Sequence, residues 1–415
     1  MTTKKKVLIV AGGTGGHIFP ALAVAQKLSA ENVDISWVGT SDRMENDIVP
    51  KYGYPLHTIK IEGIVSRGLK AWLKAPFTSL KAVKDSIKIL KEIRPNVVVS
   101  FGGYVCGPVG IAAKLLGIPL IVLENNGVIG LTNKILMKFA NLTLFAYPLP
   151  QAKKPEYIVG QPLREDFQKV NSEDNLRPLL EKAKNEFIEL KNYLANLDKE
   201  FTQDLEYNEE NFSKLYSLLD SNEQKDFDHL SFQKQKLNIF AVGGSIGARI
   251  LNENLAPAVK LLAEKDIYVD LVQQVGKNNL ANVEQLAKNL ELDKVASSFT
   301  PIEFIDNMIE RYLASDLIIC RSGSMTVFEI ASCNRPVIFV PLAHHKDQQQ
   351  LLNAKYLVDQ QAARVILNKD FNSQTLVENL LTLNYNKLYL MAKKQTTLAT
   401  PQATDKITAF IKTYF

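Results

Sequence analysis

Residues 12–17 read GGTGGH and combine a glycine-rich loop with an ionisable side chain, His17. The loop follows an apolar run at residues 7–11 and precedes a helix-like segment, residues 18–28, with Pro20 in its first turn. A glycine loop between a buried strand and a helix lets the backbone approach a phosphate or a sugar. The imidazole of His17 titrates near neutral pH, so it could remove a proton from a bound hydroxyl group.

The loop matches neither of the two common phosphate-binding motifs. A dinucleotide-binding fingerprint starting at Gly13 would need glycine or alanine at position 18, where the chain has Ile18, and a P-loop would need a Lys-Ser/Thr pair. A tight strand-to-helix turn without a ligand is the alternative interpretation. Four glycines in five residues exceed what such a turn requires, which favours a binding role.

The same opening recurs in the second half of the chain. An apolar run at residues 238–242 leads into GGSIG at residues 243–247, which overlays GGTGG at residues 12–16. Two strand–glycine loop–helix openings, one in each half, predict two Rossmann-like domains that face each other. Ligands in such sheets bind beyond the carboxyl ends of the strands, so we expect them in the cleft between the halves.

Further polar groups follow other predicted strands. Glycine loops lie at residues 102–104 and 321–324, and the second of these opens a helix whose first-turn amides could hold a diphosphate. Glu329, one turn into that helix, could accept hydrogen bonds from both hydroxyls of a ribose, or it could be an ordinary salt-bridge residue. The polar cluster at residues 344–350 could pair with sugar hydroxyls. Arg164 could reach a diphosphate and offset the charge of a leaving group, although a surface arginine is an equal alternative.

Strand-like and helix-like segments alternate along most of the chain, which predicts βαβ units and parallel sheets. Residues 171–236 differ, since they carry 15 acidic and 9 basic residues and show apolar positions at helical spacing. We expect this stretch to be a helical, surface-lying insert, with a partner-binding arm as the alternative. The predicted domains are residues 1–164, an insert or linker at 165–236, a second Rossmann-like domain at 237–395, and a C-terminal helix at 396–415 that packs back across the junction.

Composition excludes several classes of function. A net charge of +5 over 415 residues is mild for a nucleic-acid-binding protein, so no nucleic acid is expected. Three separated cysteines show no disulfide or metal spacing and suit a reducing, cytoplasmic compartment. No uncharged apolar run reaches the length of a membrane span. No acidic pair follows a strand, so a metal site is not expected.

A basic stretch at residues 60–94 could nevertheless contact a membrane surface. Aromatic and aliphatic side chains alternate there with lysines, which suits anionic lipid, and Lys134 and Lys138 could add to the contact. A normal amphipathic helix docked on its own sheet is the alternative. The candidate patch consists of Trp72, Leu73, Phe77, Leu80, Lys70 and Lys74.

Together these segments resemble the MurG family of two-domain GT-B glycosyltransferases. The matching segments run in order over nearly all of the chain outside the insert: GGTGGHIFPALAVA, GTSDRMENDIVP, FGGYVCGP, LTNK, VGQPLR, GGSIGARILN, FIDNM, CRSGSMTVFEIA and HKDQQQ. The resemblance implies transfer of GlcNAc from UDP-GlcNAc, with inversion, to the 4-hydroxyl of the muramoyl unit of undecaprenyl-linked lipid I. The product is lipid II, and the family requires no metal or other cofactor.

The resemblance also assigns roles to individual residues. His17 would be the base, or would only position the acceptor, with Glu329 and Asn126 as further catalytic residues and Tyr104 on the acceptor side. Ile305 would meet the uracil through its backbone, and Glu329 the ribose. The remaining contacts to the UDP-sugar would come from Thr14, Gly15, Gly16, Asn126, Arg164, Ser245, Met325, Thr326, Gln349 and Gln350. The patch around Trp72 corresponds to the membrane-facing region, which implies a peripheral protein on the cytoplasmic face of the inner membrane.

The chain departs from the family pattern at a few positions. Leu123 stands where histidine is usual, Asn125 where glutamine is usual, Ile246 where glutamine is usual and Gln161 where asparagine is usual. Two alternatives stay open: a UDP-GlcNAc 2-epimerase-like enzyme, which would share the fold, and a catalytically dead, membrane-associated homologue, which the changes at Leu123 and Ile246 would allow.

Overall fold

The computed structural model describes residues 4–61, 69–170, 172–244, 246–342 and 348–415, with the side chains of 69–77 and 234 excepted. The chain forms two compact units. The first unit contains Met1–Lys169, Gly323–Phe328 and Thr400–Phe415. The second unit contains Val170–Ser322 and Glu329–Ala399. Neither unit is continuous in sequence, and the domain boundaries given above stay predictions.

Each unit is built on a six-stranded parallel sheet. In the first sheet the strand order is β3-β2-β1-β4-β5-β6, and in the second it is β12-β11-β10-β7-β8-β9. The strands are β1 Lys6–Ala11, β2 Asp34–Thr40, β3 Leu56–Ile59, β4 Val97–Gly102, β5 Leu120–Glu124, β6 Leu142–Phe145, β7 Leu237–Val242, β8 Val269–Gln274, β9 Ser298–Ile302, β10 Leu317–Cys320, β11 Val337–Phe339 and β12 Arg364–Val365.

Helices connect the strands and cover both faces of each sheet, which is why the central strands are almost wholly apolar. The helices are α1 Gly15–Ala30, α2 Glu45–Ile48, α3 Leu69–Ile93, α4 Cys106–Leu115, α5 Leu131–Leu136, α6 Glu165–Gln168, α7 Ser172–Asn196, α8 Glu209–Tyr216, α9 Ser221–Lys234, α10 Arg249–Ala263, α11 Leu280–Asn289, α12 Met308–Ala314, α13 Ser324–Cys333, α14 Gln349–Val358, α15 Ser373–Leu380, α16 Tyr385–Gln395 and α17 Ala403–Lys412. None of these helices, within the described ranges, is long and apolar enough to cross a bilayer.

The two sheets share one topology. Counted from the first strand of each unit, both orders are the 3-2-1-4-5-6 arrangement of a doubly wound dinucleotide-binding fold. The predicted fold class, α/β with two Rossmann-like halves and a helical acidic insert, is therefore confirmed. The C-terminal helix α17 belongs to the first unit, where Ile407 and Ile411 join the core beside α1, and Asp405 forms an ion pair with Lys27 at 2.8 Å.

The insert is helical, as predicted, but it is more than a layer on the surface. Leu179 and Ala183 of α7 and Phe232 of α9 lie in the main core of the second unit. A separate apolar cluster forms between α7, α8 and α9, with Phe187 and Phe212 as two of its aromatic members. The apolar positions at helical spacing thus bury two sides of α7, one against the sheet domain and one against the other insert helices.

A buried carboxylate links the insert helices to α16 within the second unit. Glu186 of α7 accepts hydrogen bonds from the backbone N–H groups of Tyr385 and Asn386, at 2.9 and 2.7 Å, and also from Ser231 of α9. It therefore caps the first turn of α16 from another helix. Burial raises the pKa of the Glu186 carboxyl to about 7, against the opposing effect of these three donors.

Candidate functional site

All four glycine loops lie at the points where the strand order of a sheet reverses. In the first unit, β1 and β4 are neighbours, and residues 12–16 and 102–104 follow their carboxyl ends. In the second unit, β7 and β10 are neighbours, and residues 243–247 and 321–324 follow them. Ligands of doubly wound sheets bind at these points.

The two openings that match in sequence share one backbone feature, the conformation of their second glycine. Gly13 and Gly244 have φ of +95° and +92°, values that side chains rarely adopt. A Cβ at either position would meet no atom of the described residues within 4 Å. At this glycine, therefore, each loop leaves room for a ligand to approach its main chain.

Helix α1 begins at Gly15, three residues before the predicted start. Thr14 is its N-cap residue and makes no capping hydrogen bond through its side chain, so the first-turn amides at Gly15 and Gly16 face the loop unscreened by a cap. The prediction that Pro20 lies in the first turn was wrong, because the two glycines enter the helix despite their low propensity.

His17 lies in the first turn of α1 with its ring fixed at one nitrogen. Its Nδ1 is 3.2 Å from the carbonyl oxygen of Gly12 and 3.4 Å from Oγ1 of Thr14. A carbonyl oxygen can only accept, so the neutral ring carries its proton on Nδ1 and leaves the lone pair on Nε2. Burial lowers the pKa of His17, opposed by the Gly12 hydrogen bond and the charge of Glu45, which favours the neutral ring.

Gly102 provides the surface against which the His17 ring lies. The register between β1 and β4 shifts at Val10–Ala11, so that Ala11 pairs with Gly102. A Cβ at Gly102 would be 2.7 Å from Cδ2 and 2.9 Å from Nε2 of the ring. Only glycine therefore gives the imidazole its observed position.

Glu45 was missed by the sequence analysis, although it lies in one of the matching segments. Its side chain is fully buried at the start of α2. It accepts hydrogen bonds from the N–H of Gly13 at 3.1 Å and from the N–H and hydroxyl of Thr40 at 2.8 and 2.7 Å. The detectable signal was an acidic residue just after a buried strand, close to two glycines that leave it space.

Asn126 lies in a loop that is organised by Glu124. The Glu124 carboxylate ends β5, is almost fully buried, and accepts from the N–H groups of Asn126 and Gly130, each at 3.0 Å, and from Nδ2 of Asn133 at 2.9 Å. Burial raises the pKa of the Glu124 carboxyl. The neighbouring Asn125 donates from Nδ2 to the carbonyl of Phe101, which ties the end of β5 to β4.

The first turn of α13 belongs to the first unit together with the β5 loop. Ser324 donates to the carbonyl of Asn125, and Nε2 of Gln161 lies 3.2 Å from Sδ of Met325. Thr326 is half-buried in the same turn. Gln161 is itself fully buried, and its side chain makes a structural contact at the start of α13.

Two other predicted site residues, Arg164 and Tyr104, also lie in the first unit. Arg164 is the N-cap residue of α6, and its guanidinium lies 5.2 Å from the ring centroid of Phe167. Tyr104, just before α4, has 55% of its surface exposed.

In the second unit, the residues predicted to bind the UDP-sugar lie near strand ends and helix starts. The N–H of Ile305 donates to Oε1 of Gln274 at 3.1 Å, and Gln349 begins α14. Oε1 of Gln350 accepts from the N–H of Leu342 at 2.9 Å, so its side chain also holds the preceding loop. Glu329 lies in α13 beyond its first turn. Ser245 and residues 343–347 lie outside the described residues.

The predicted membrane patch lies on α3, which begins at Leu69. Leu80 is 58% exposed. The side chains of Lys70, Trp72, Leu73, Lys74 and Phe77 lie outside the described part of the structure. Among the residues that are described, no three histidine, cysteine or acidic side chains group in a way that could hold a metal ion.

Comparison with known families identifies the class of the chain. Residues 7–144 match the glycosyltransferase family 28 N-terminal domain, and residues 238–408 match the glycosyltransferase family 28 C-terminal domain. The chain therefore belongs to glycosyltransferase family 28.

Individual relatives narrow the comparison to the MurG group of that family. The chain is 41% identical over 413 residues to a UDP-N-acetylglucosamine--N-acetylmuramyl-(pentapeptide) pyrophosphoryl-undecaprenol N-acetylglucosamine transferase of Haemophilus influenzae, covering 99% of both chains. It is 40% identical over 411 residues to the transferase of that name from Actinobacillus pleuropneumoniae, covering 98% of both. The crystal structure of Acinetobacter baumannii MurG superposes with a TM-score of 0.73 at 30% identity, covering 99% of both chains.

A crystal structure of a UDP-N-acetylglucosamine 2-epimerase is also similar, with a TM-score of 0.57 over 99% of this chain and 96% of that one. At 13% identity this similarity shows a shared fold alone.

Proposed function

We propose that the protein transfers GlcNAc from UDP-GlcNAc to the 4-hydroxyl of MurNAc in undecaprenyl-linked lipid I, forming lipid II for peptidoglycan synthesis. This proposal rests on one observation. The chain is about 40% identical, over nearly its full length, to transferases whose names state this activity. The geometry of His17 beside an open glycine loop supports it. The protein is then a hexosyltransferase of cell-wall biogenesis, and it serves cell shape and division.

On the acceptor side, His17 acts as the general base. Nε2 of the neutral ring takes the proton of the 4-hydroxyl as that oxygen forms its bond to C1 of GlcNAc. The bond between C1 and the diphosphate oxygen breaks at the opposite face, UDP leaves with the electron pair, and the configuration at C1 inverts. Thr14, Asn126 and Tyr104 orient the two sugars at this step.

On the donor side, fixed positive dipoles offset the charge that develops on UDP. The first-turn amides at Met325 and Thr326 and the guanidinium of Arg164 are suited to the diphosphate. The amides of Gly15 and Gly16 lie at a second helix start, that of α1, in the loop that we assign to the acceptor. The contacts to the rest of the UDP-sugar are assigned to Glu329 for the ribose, to Ile305 for the uracil, and to Ser245, Gln349 and Gln350. Since the Ile305 N–H is already bonded to Gln274, the uracil contact falls to the Ile305 carbonyl oxygen.

Transfer should therefore require both substrates and no added metal. We expect the purified protein to release UDP from UDP-GlcNAc when a lipid I analogue is present, at the same rate with and without EDTA. Formation of UDP-ManNAc without acceptor would indicate an epimerase, and binding of UDP-GlcNAc without turnover would indicate a dead homologue. Either result would contradict the proposal.

We also propose that the first unit binds the cytoplasmic face of the plasma membrane. Helices α3, α4 and α5 pack side by side, and each exposes a leucine to solvent: Leu80 at 58%, Leu115 at 67% and Leu131 at 65%. Three lysines are exposed here: Lys114 on α4, Lys134 on α5 and Lys138 just after α5. Exposed apolar groups among lysines suit an anionic bilayer surface, where lipid I resides.

Changing Leu115 and Leu131 together to glutamate should weaken binding to vesicles of phosphatidylglycerol and phosphatidylcholine by about 30-fold, since each leucine contributes about 1 kcal/mol on insertion. Co-sedimentation measures this, and transfer to a water-soluble acceptor should be unchanged. Ile188→Glu, at an exposed apolar position on α7, is the matched control and should bind as wild type does. Equal binding by the double variant and wild type would refute the assignment of this surface.

A further inference from the structure

The buried carboxylate of Glu45 lies against the backbone of the glycine loop that precedes His17. Glu45 has no solvent-exposed surface, and its hydrogen-bond donors within the described part of the chain, the Gly13 N–H and the N–H and hydroxyl of Thr40, are uncharged. Burying an ionised carboxylate is costly, and neutral donors compensate for that cost only in part. Among the described residues, no ion pair offsets the cost of burying Glu45.

Two glycines create the space that Glu45 fills. A Cβ at Gly12 would lie 2.5 Å from Oε1 of Glu45, and a Cβ at Gly39 would lie 2.7 Å from its Cγ. The carboxylate thus lies directly against the backbone at the carboxyl ends of β1 and β2, where a larger residue at either glycine would displace it.

One peptide group connects Glu45 to His17. The N–H of Gly13 donates to Oε2 of Glu45, and the carbonyl of Gly12, which belongs to the same peptide unit, accepts from Nδ1 of His17. The N–H and C=O of a trans peptide point in opposite directions, so this planar group links carboxylate and imidazole in a continuous chain of hydrogen bonds. Such chains polarise one another, and negative charge at one end strengthens the acceptor at the other.

We propose that Glu45 is the positioning residue of His17, and that it acts through the Gly12–Gly13 peptide group in the way the carboxylate of a hydrolase triad acts directly on its histidine. Glu45 fixes the peptide plane, the peptide carbonyl keeps the proton of the neutral ring on Nδ1, and Nε2 keeps its lone pair for the acceptor. When the ring gains a proton during transfer, the charge of Glu45 stabilises the imidazolium. The part played in transfer rests on the proposed function, whereas the effect on the titration of His17 does not.

The test is Glu45→Gln, which keeps the size of the side chain and removes its charge. The His17 imidazole signal, assigned by its absence in His17→Gln, is followed by NMR as a function of pH. The pKa of His17 should fall in Glu45→Gln, because the charge of Glu45 favours the imidazolium. The kcat for transfer should fall by about 10- to 100-fold with KM for UDP-GlcNAc unchanged, and the acidic limb of the pH–rate profile should move to lower pH. In a His17→Ala background, Glu45→Gln should have little further effect.

Glu186→Gln is the matched control, since it removes another buried carboxylate that accepts backbone N–H groups, but in the second unit. It should leave the His17 titration and the pH–rate profile as in wild type. If Glu45→Gln does not fold, Glu45→Asp keeps the charge but is too short to span Thr40 and Gly13, and it should move the His17 pKa and kcat in the same directions by less.

Unchanged titration of His17 in a folded Glu45 variant would overturn the proposal, as would a loss of activity that is equally large in the His17→Ala background. An absence of transfer by the wild-type protein would instead overturn the proposed function, and the NMR titration would still decide whether Glu45 acts on His17.

Discussion

His17→Ala is expected to lower kcat for GlcNAc transfer by about 100- to 10,000-fold, because the acceptor hydroxyl loses the base that removes its proton. Binding of UDP-GlcNAc should stay within about twofold of wild type, since the assigned contacts to the nucleotide come from other residues. Steady-state kinetics with a lipid I analogue and calorimetric titration with UDP-GlcNAc measure the two quantities.

A histidine outside the site provides the control for this substitution. His229 of α9 uses Nε2 to contact the carbonyl of Lys265 at 2.8 Å in the second unit. His229→Ala should therefore leave kcat unchanged. If His17→Ala retained wild-type kcat, His17 would at most orient the acceptor and could not be the base.

Gly102→Ala is expected to lower kcat by about 100-fold or more, because the new methyl group occupies the place of the His17 ring. Its Cβ would lie 2.7 Å from Cδ2 of the imidazole, and a displacement of about 1 Å at a catalytic group is enough for a loss of this size. The φ of +111° at Gly102 adds backbone strain of about 1–3 kcal/mol, which thermal unfolding should detect.

Gly53→Ala is the control that separates the effect of backbone strain from the effect of steric contact with the His17 ring. Gly53 has a φ of +77°, and a Cβ there would lie more than 4 Å from every atom that the structure describes outside its chain neighbours. This variant should lose similar stability yet keep wild-type kcat. If Gly102→Ala and Gly53→Ala lost activity equally, the ring contact would have no special role in transfer.

The central strands were predictable from the sequence, and three edge strands were not. Buried parallel strands such as β1 and β7 are continuous apolar runs, and the runs predicted at residues 7–11 and 238–242 end within a residue of them. The strands β3, β9 and β12 lie at the outer edges of the two sheets, where partial exposure removes the apolar signal. Their positions follow from pairing with a neighbouring strand, which no local pattern records.

The glycine loops and His17 were predictable for a similar reason, since a glycine run after an apolar strand is a local signal. The connection from Glu45 to His17 was not, because it depends on the orientation of one peptide group between two loops that are far apart in sequence. The insert shows the same limit. Its helices followed from the spacing of apolar residues, whereas the capping of α16 by Glu186 needs the folded arrangement.

The most direct test of the account is transfer of labelled GlcNAc from UDP-GlcNAc to a lipid I analogue, beside the same analogue lacking the 4-hydroxyl of MurNAc. The account predicts a disaccharide product with inverted configuration at C1 of GlcNAc and an equal amount of UDP, formed only with the intact acceptor. Transfer to the 4-deoxy acceptor, or UDP release that does not depend on any acceptor, would contradict it.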